Sequence, residues 1–141
     1  SENLNSLDTR IMMWGSGLEL SMDRPVFGFG QDSIQDNIDP YLPEDLRKNE
    51  VFYVDRTHSE LIDLAVTVGY FGLFAYLGFF ALVLWRAVRA YDGRDRYFAG
   101  AFVGLLTIHF YQLVNFSTIT TNVLIYFLAA FLVARYERKS Q

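Results

Sequence analysis

The residues best suited to chemistry stand together at Thr57-His58-Ser59-Glu60. Their spacing fits a capping box, in which the Thr57 hydroxyl and the Glu60 carboxylate each satisfy an orphan backbone donor at a helix start. His58 then falls in the first helical turn. Partial positive charge at that position disfavours imidazolium, which leaves a neutral ring able to accept a proton at physiological pH. The same free N–H groups attract phosphate oxygens. A neutral base beside an anion site is what glycosyl transfer from a lipid diphosphate to an acceptor hydroxyl requires. The competing reading is that Thr57 and Glu60 only cap a helix and His58 is an interfacial side chain, and spacing does not choose between the two. Arg10, one turn before Trp14, likewise reads either as a solvated helix residue or as a phosphate ligand, since the guanidinium fork matches phosphate oxygens.

The elements that must position these residues are set by a sharp change in composition. Residues 1–57 hold eleven of the 16 carboxylates against five of the 12 bases, and from His58 onward the numbers become five and seven. The second part also carries apolar runs that a soluble domain of this size could not hide, so it belongs in lipid. Leu61 to Trp85, apolar apart from Asp63 and Thr67, is long enough to be a first span. Phe98 to Phe116 is a second candidate. The run from about Ile119 to Ala134 is a third, shorter and polar at its start.

Orientation follows from the bases. Arg86, Arg89, Arg94 and Arg96 follow the first span, while Arg135, Arg138 and Lys139 follow the third, so both clusters should be cytoplasmic. The connector from Asn115 to Asn122 is uncharged and should share the outer side with the acidic first part. The expected fold is an all-α membrane protein: an extracytoplasmic loop segment with an amphipathic helix over 1–57, then a three-helix transmembrane region with a cytoplasmic tail over 58–141.

In the outer segment, Asp8 is placed to cap a helix whose apolar Ile11, Trp14, Leu18 and Met22 recur at roughly helical spacing. Asp23-Arg24-Pro25 stops it. Gly28 and Gly30 mark a turn that needs unusual dihedrals or close backbone approach. From Gln31 to Asp55, polar residues with Pro40 and Pro43 suggest short helical turns and loop. The absence of Cys excludes a disulfide scaffold or thiolate metal site, and a net charge of −4 with its bases at membrane boundaries argues against a nucleic-acid partner. The chain has neither an initiator Met nor the zones of a signal peptide, so it is expected to be a piece of something longer.

Several of these elements occur in one order: Arg10 to Trp14; Asp23-Arg24-Pro25-Val26-Phe27-Gly28-Phe29-Gly30; Asp55-Arg56-Thr57-His58-Ser59-Glu60-Leu61-Ile62-Asp63; and Val68-Gly69-Tyr70-Phe71-Gly72-Leu73. The set closely resembles the O-antigen ligase family, at the end of its large periplasmic loop and its last three spans. The resemblance implies a multi-pass protein of the bacterial inner membrane that transfers glycans from undecaprenyl diphosphate. The acceptor is a lipid A core in ligases or a growing chain in polymerases, and neither cofactor nor metal is required. It further implies that His58 activates the acceptor hydroxyl and that Arg10 engages the carrier diphosphate. Ser59 follows the histidine where Asn is usual in the family. The earlier spans, which in the family supply another arginine and most of the carrier groove, are not in this chain, so it should be inactive alone. Expected partners are membrane lipid, the polyprenyl diphosphate-linked glycan and the remaining transmembrane helices.

His109, Gln112 and Asn115 lie at three-residue intervals and face broadly one way on the second span. They read as functional intramembrane groups or, more simply, as interhelical hydrogen-bonding glue. Gly100 and Gly104 form a small-xxx-small pair that permits close helix approach. Asp63 is placed to hold a cation or an arginine. A rival function of another class is a non-catalytic membrane subunit that packs its glycine-bearing spans into a larger complex.

Overall fold

The computed structural model describes residues 6–47, 54–91 and 93–137 with their side chains and 138–140 by backbone alone. Among these residues there are seven α-helices, one 3-10 turn and no strand. Two compact units divide the chain: Ser1–Phe74 with Leu113–Phe116, and Ala75–Gln112 with Ser117–Gln141. Among the charges that set the expected orientation, Glu2, Lys48, Glu50 and the side chains of Arg138 and Lys139 lie outside the described residues.

In the first unit, α1 (Ser6–Ser21) already includes Asp8 in its first turn, so Asp8 does not precede the helix as a cap. The face it buries carries Met13, Ser16, Gly17, Leu20 and Ser21. Ile11, Leu18 and Met22 are instead exposed. The reason is close approach: a methyl group at Gly17 would stand 2.6 Å from Thr57 Cγ2 and 2.7 Å from Ile62 Cγ2. Small residues therefore define the packed face. Three short elements, α2 (Ile34–Asn37), the 3-10 turn Asp39–Tyr41 and α3 (Glu44–Arg47), follow as the Pro-containing stretch suggested. They supply Ile34, Ile38, Leu42 and Leu46 to a core completed by Met13, Leu20, Val54 and Val66.

The apolar run from Leu61 is not one helix. Its first part forms α4 (Glu60–Thr67), which ends at Val68, and α5 (Gly69–Ala90) starts afresh. The break is held by the Pro25–Gly30 turn, which satisfies both helix ends. Tyr70 N–H donates to Pro25 O at 2.7 Å and Phe71 N–H to Val26 O at 3.3 Å, while Phe29 and Gly30 N–H donate to Val66 O at 2.8 Å and Thr67 O at 2.9 Å. Orphan groups that would otherwise need water are thus paired inside the protein. Gly28 (φ +69°) and Gly69 (φ +70°) make this possible, because a side chain on either would strike the other segment's backbone.

In the second unit the core comprises Phe80, Val83, Ala87, Ala90, Phe98, Leu105, Ile125, Ala129 and Leu132, drawn from α5, α6 (Arg96–Leu113) and α7 (Ile119–Ser140). Asp95 caps α6 by accepting from Tyr97 and Phe98 N–H, both at 3.1 Å, and it pairs with Arg135 of α7 at 3.3 Å. Thr118 and Thr121 cap α7 reciprocally through hydroxyl and backbone N–H. Two helices, Gly69–Ala90 and Ile119–Glu137, are long and apolar enough to cross a membrane. The 22 residues of α5 measure about 33 Å, against a hydrocarbon thickness of roughly 30 Å. α6 contains Arg96, His109 and Gln112 and is not among them.

Among the described residues, His109 makes no hydrogen bond to a neighbouring helix. Its Nδ1 lies 2.9 Å from Leu105 O, one turn back on its own helix, and its ring packs against Phe80. Gln112 does act between helices, donating to Asn122 Oδ1 at 3.4 Å. Gly100 has open space around it, so among the described residues no close approach is made there, and Gly104 meets Leu128 at an ordinary 3.6 Å.

Candidate functional site

The Thr57–Glu60 segment is built differently from a capping box. The cap residue of α4 is Ser59, in extended conformation and without a side-chain capping bond, and Glu60 is the first helical residue. His58 therefore precedes the helix. It adopts φ +60°, in the left-handed region. Such a conformation costs a non-glycine residue roughly 1–2 kcal/mol, and it persists only where the surroundings over-determine it.

What over-determines it is Asp63. The fully buried Thr57 gives both its backbone N–H (2.9 Å) and its hydroxyl (2.7 Å) to Asp63 Oδ1. Asp63, one turn inside α4, is only 3% exposed, and its Oδ2 has no hydrogen-bond partner among the described residues. Asp63 thus clamps the residue immediately before His58. Burial raises its pKa above the ordinary value, and the two bonds from Thr57 offset only part of that effect. Thr57 and Glu60 are both buried at this turn, Glu60 opening α4, and Asp63 takes the place of the reciprocal cap that spacing suggested. The signal available in the sequence was a lone acid one turn inside an apolar run.

α1 closes over this turn. Because Gly17 lies against Thr57 and Ile62, Gly17→Ala must force apart two β-branched side chains. A loss of about 1–3 kcal/mol is expected for such overpacking. Gly15→Ala, two residues away with nothing within 4 Å, should instead stabilise the helix by up to about 1 kcal/mol. Thermal unfolding in detergent reads both; equal shifts would dismiss the close approach.

The third component is Val114–Phe116. Arg10 Nη1 donates to Val114 O at 3.2 Å, and the His58 ring lies 5.4 Å from the Phe116 ring, centroid to centroid. Two residues 48 positions apart in sequence thus meet one three-residue segment. Both are half-exposed. A guanidinium has five donors in a fork, so one bond to a carbonyl leaves Arg10 capacity for an anion. Val114 had carried no functional expectation, and Phe116 stood out only as part of the resemblance, with the Thr residues that follow it.

The molecule is an all-helical membrane protein that brings an arginine and a strained histidine to a common segment. The O-antigen ligase family model matches residues 1–77, and the chain belongs to that family. No curated protein and no solved structure matches it.

Proposed function

We propose that the chain is the C-terminal portion of a membrane glycan ligase or polymerase that moves an oligosaccharide from a polyprenyl diphosphate to an acceptor hydroxyl. The observation that carries this reading is the convergence of Arg10 and His58 on Val114–Phe116. His58 takes the proton of the acceptor hydroxyl as its oxygen bonds to C1 of the first sugar. The bond from C1 to the diphosphate oxygen breaks, and its electron pair leaves with the carrier. Arg10 offsets the charge that gathers there. Residual helices of a longer chain complete the carrier groove.

In this reading the protein sits in the bacterial inner membrane, with residues 1–57 outside and the C-terminus in the cytoplasm. α6 returns the chain across the bilayer, which puts Arg86, Arg89, Arg94 and Arg96 on the same side as Arg135. Its 18 residues reach about 27 Å, enough with slight thinning of the bilayer. Single cysteines near Gly93 and Ser140 should label only after the inner membrane is permeabilised, and one at Asn37 before. Labelling of Gly93 from outside in intact cells would overturn the topology.

Arg10→Lys keeps the charge but loses the planar fork, so carrier binding should weaken although the substitution looks mild. With purified protein and labelled lipid-linked oligosaccharide, a raised KM for the carrier is expected. An unchanged KM would remove Arg10 from the diphosphate site.

A further inference from the structure

α1 has a second face. Its core side sets Met13 and Leu20 among small residues, while the side turned away from that core is apolar: Leu7, Ile11, Leu18 and Met22 are 61%, 52%, 46% and 63% exposed. Spacings of four, seven and four residues place them in one stripe. Only Asp8, Arg10 and Glu19 carry charge along the 16 residues. The stripe continues beyond the helix into Phe27 and on to Phe71 and Phe74, which are 75%, 69% and 66% exposed. A surface of this kind on a helix bathed in water is a liability and marks an interaction site.

The position of α1 says what covers it. Near its start, Arg10 bonds Val114 O, in the segment that leads into the apolar helix α7. At its end, Ser21 Oγ lies 3.0 Å from Tyr70 Oη, and Tyr70 Oη lies 3.8 Å from Met22 Sδ, in the first turn of the apolar helix α5. Just beyond, Tyr70 and Phe71 N–H are bonded to Pro25 and Val26 O, and the Phe27 ring meets the Phe71 ring edge-on at 6.1 Å. The first turn of a spanning helix sits at the lipid–water boundary, where aromatic side chains concentrate. Main-chain bonds therefore hold Val26 and Phe27 at that depth. Residues 10 and 21 of α1, about 16 Å apart along the axis, are thus both tied to segments that adjoin the starts of apolar helices.

We propose that α1 and the following Pro25–Phe27 turn lie in the membrane interface, with Leu18, Met22 and Phe27 inserted among phospholipid acyl chains. A helix with this disposition buries its apolar face roughly 5–10 Å into the headgroup–acyl boundary. The occupant is the bilayer because the exposed stripe is continuous with Phe71 and Phe74 of a helix long enough to cross it. The inference rests on α5 as a span and is independent of the transfer chemistry. Its consequence is that Arg10, on the same helix, is held at headgroup level, where the diphosphate of a membrane lipid would be.

The test is nitroxide accessibility in the full-length protein, reconstituted into vesicles of phosphatidylethanolamine and phosphatidylglycerol. Labels replace Leu18, Met22 and Phe27 one at a time, with Asp36 and Asp45 as exposed polar controls and Leu82 as the control within α5. All three test residues are exposed, so labelling leaves the core intact. Collisions with oxygen should exceed those with a water-soluble nickel chelate at Leu18, Met22, Phe27 and Leu82, and the ratio should reverse at Asp36 and Asp45. Nickel-dominated collisions at Phe27 and Met22, with Leu82 still oxygen-dominated, would overturn the inference and leave the span standing. Exclusion of both reagents at Phe27 would mean that another protein segment covers it, and would equally overturn the inference.

Discussion

His58→Ala and His58→Asn are expected to insert and express as the unsubstituted protein does, yet to lose glycan transfer by about 10²–10⁴-fold, the usual scale for a general base. Two replacements are needed because His58 sits at φ +60°. Alanine keeps the strain of that conformation, whereas Asn adopts it readily. Asn also carries no base, so agreement between the variants separates proton transfer from backbone geometry. Each variant would be purified in the complete protein, and transfer from labelled lipid-linked oligosaccharide normalised to folded material. Transfer at the unsubstituted rate by either variant would show that His58 is not the base, and the turn would then be a structural feature only.

Asp63→Ala should be the most damaging substitution for stability. It removes one acceptor that serves both Thr57 donors, 2.7 and 2.9 Å away, and strands them in a buried site. A cost of about 2–4 kcal/mol follows from two lost bonds and their unsatisfied partners. Transfer should fall with it, since the contacts that remain to Thr57, a 3.3 Å bond from its hydroxyl to Ser59 O and packing against Gly17, do not replace the two bonds to Asp63.

Asp63→Asn behaves differently because it keeps the oxygen acceptor and removes the titration. Burial holds the Asp63 pKa above its ordinary 3.8, so between the two values the folded chain retains a proton that the unfolded chain has lost. Stability contributed by this group is therefore present at low pH and declines as pH rises through that interval. Unfolding followed against pH should show the unsubstituted protein losing ground to Asp63→Asn across it, with a constant gap above. Parallel curves would mean that ionising Asp63 costs the fold nothing.

Much of the architecture was legible because it is local. Hydropathy alone marks α5 and α7, since a run of about 20 apolar residues has few other uses. The ordered motifs from Arg10 to Leu73 pointed to the family whose model matches residues 1–77. Gly28 announced a close approach, and its neighbour across the turn proved to be the backbone of Val66 and Thr67.

What escaped was decided by contacts between distant residues. Ile11, Leu18 and Met22 recur at helical spacing, but spacing alone does not say which side of a helix packs against the rest of the chain. Near a membrane the packed side is chosen by size, and Gly17 and Ser16 allow the approach that larger residues prevent. The break at Gly69 is invisible in an apolar run, because it depends on carbonyls of Pro25 and Val26 more than 40 residues earlier. Legible in the residues were a histidine at the start of apolar helical structure and an arginine on a helix that precedes it. The folded chain adds two things: Asp63 holds Thr57, six positions before it, through a side-chain contact that hydropathy does not mark, and Val114–Phe116 gathers Arg10 and His58 through contacts between residues far apart in the chain, which leave no periodic trace.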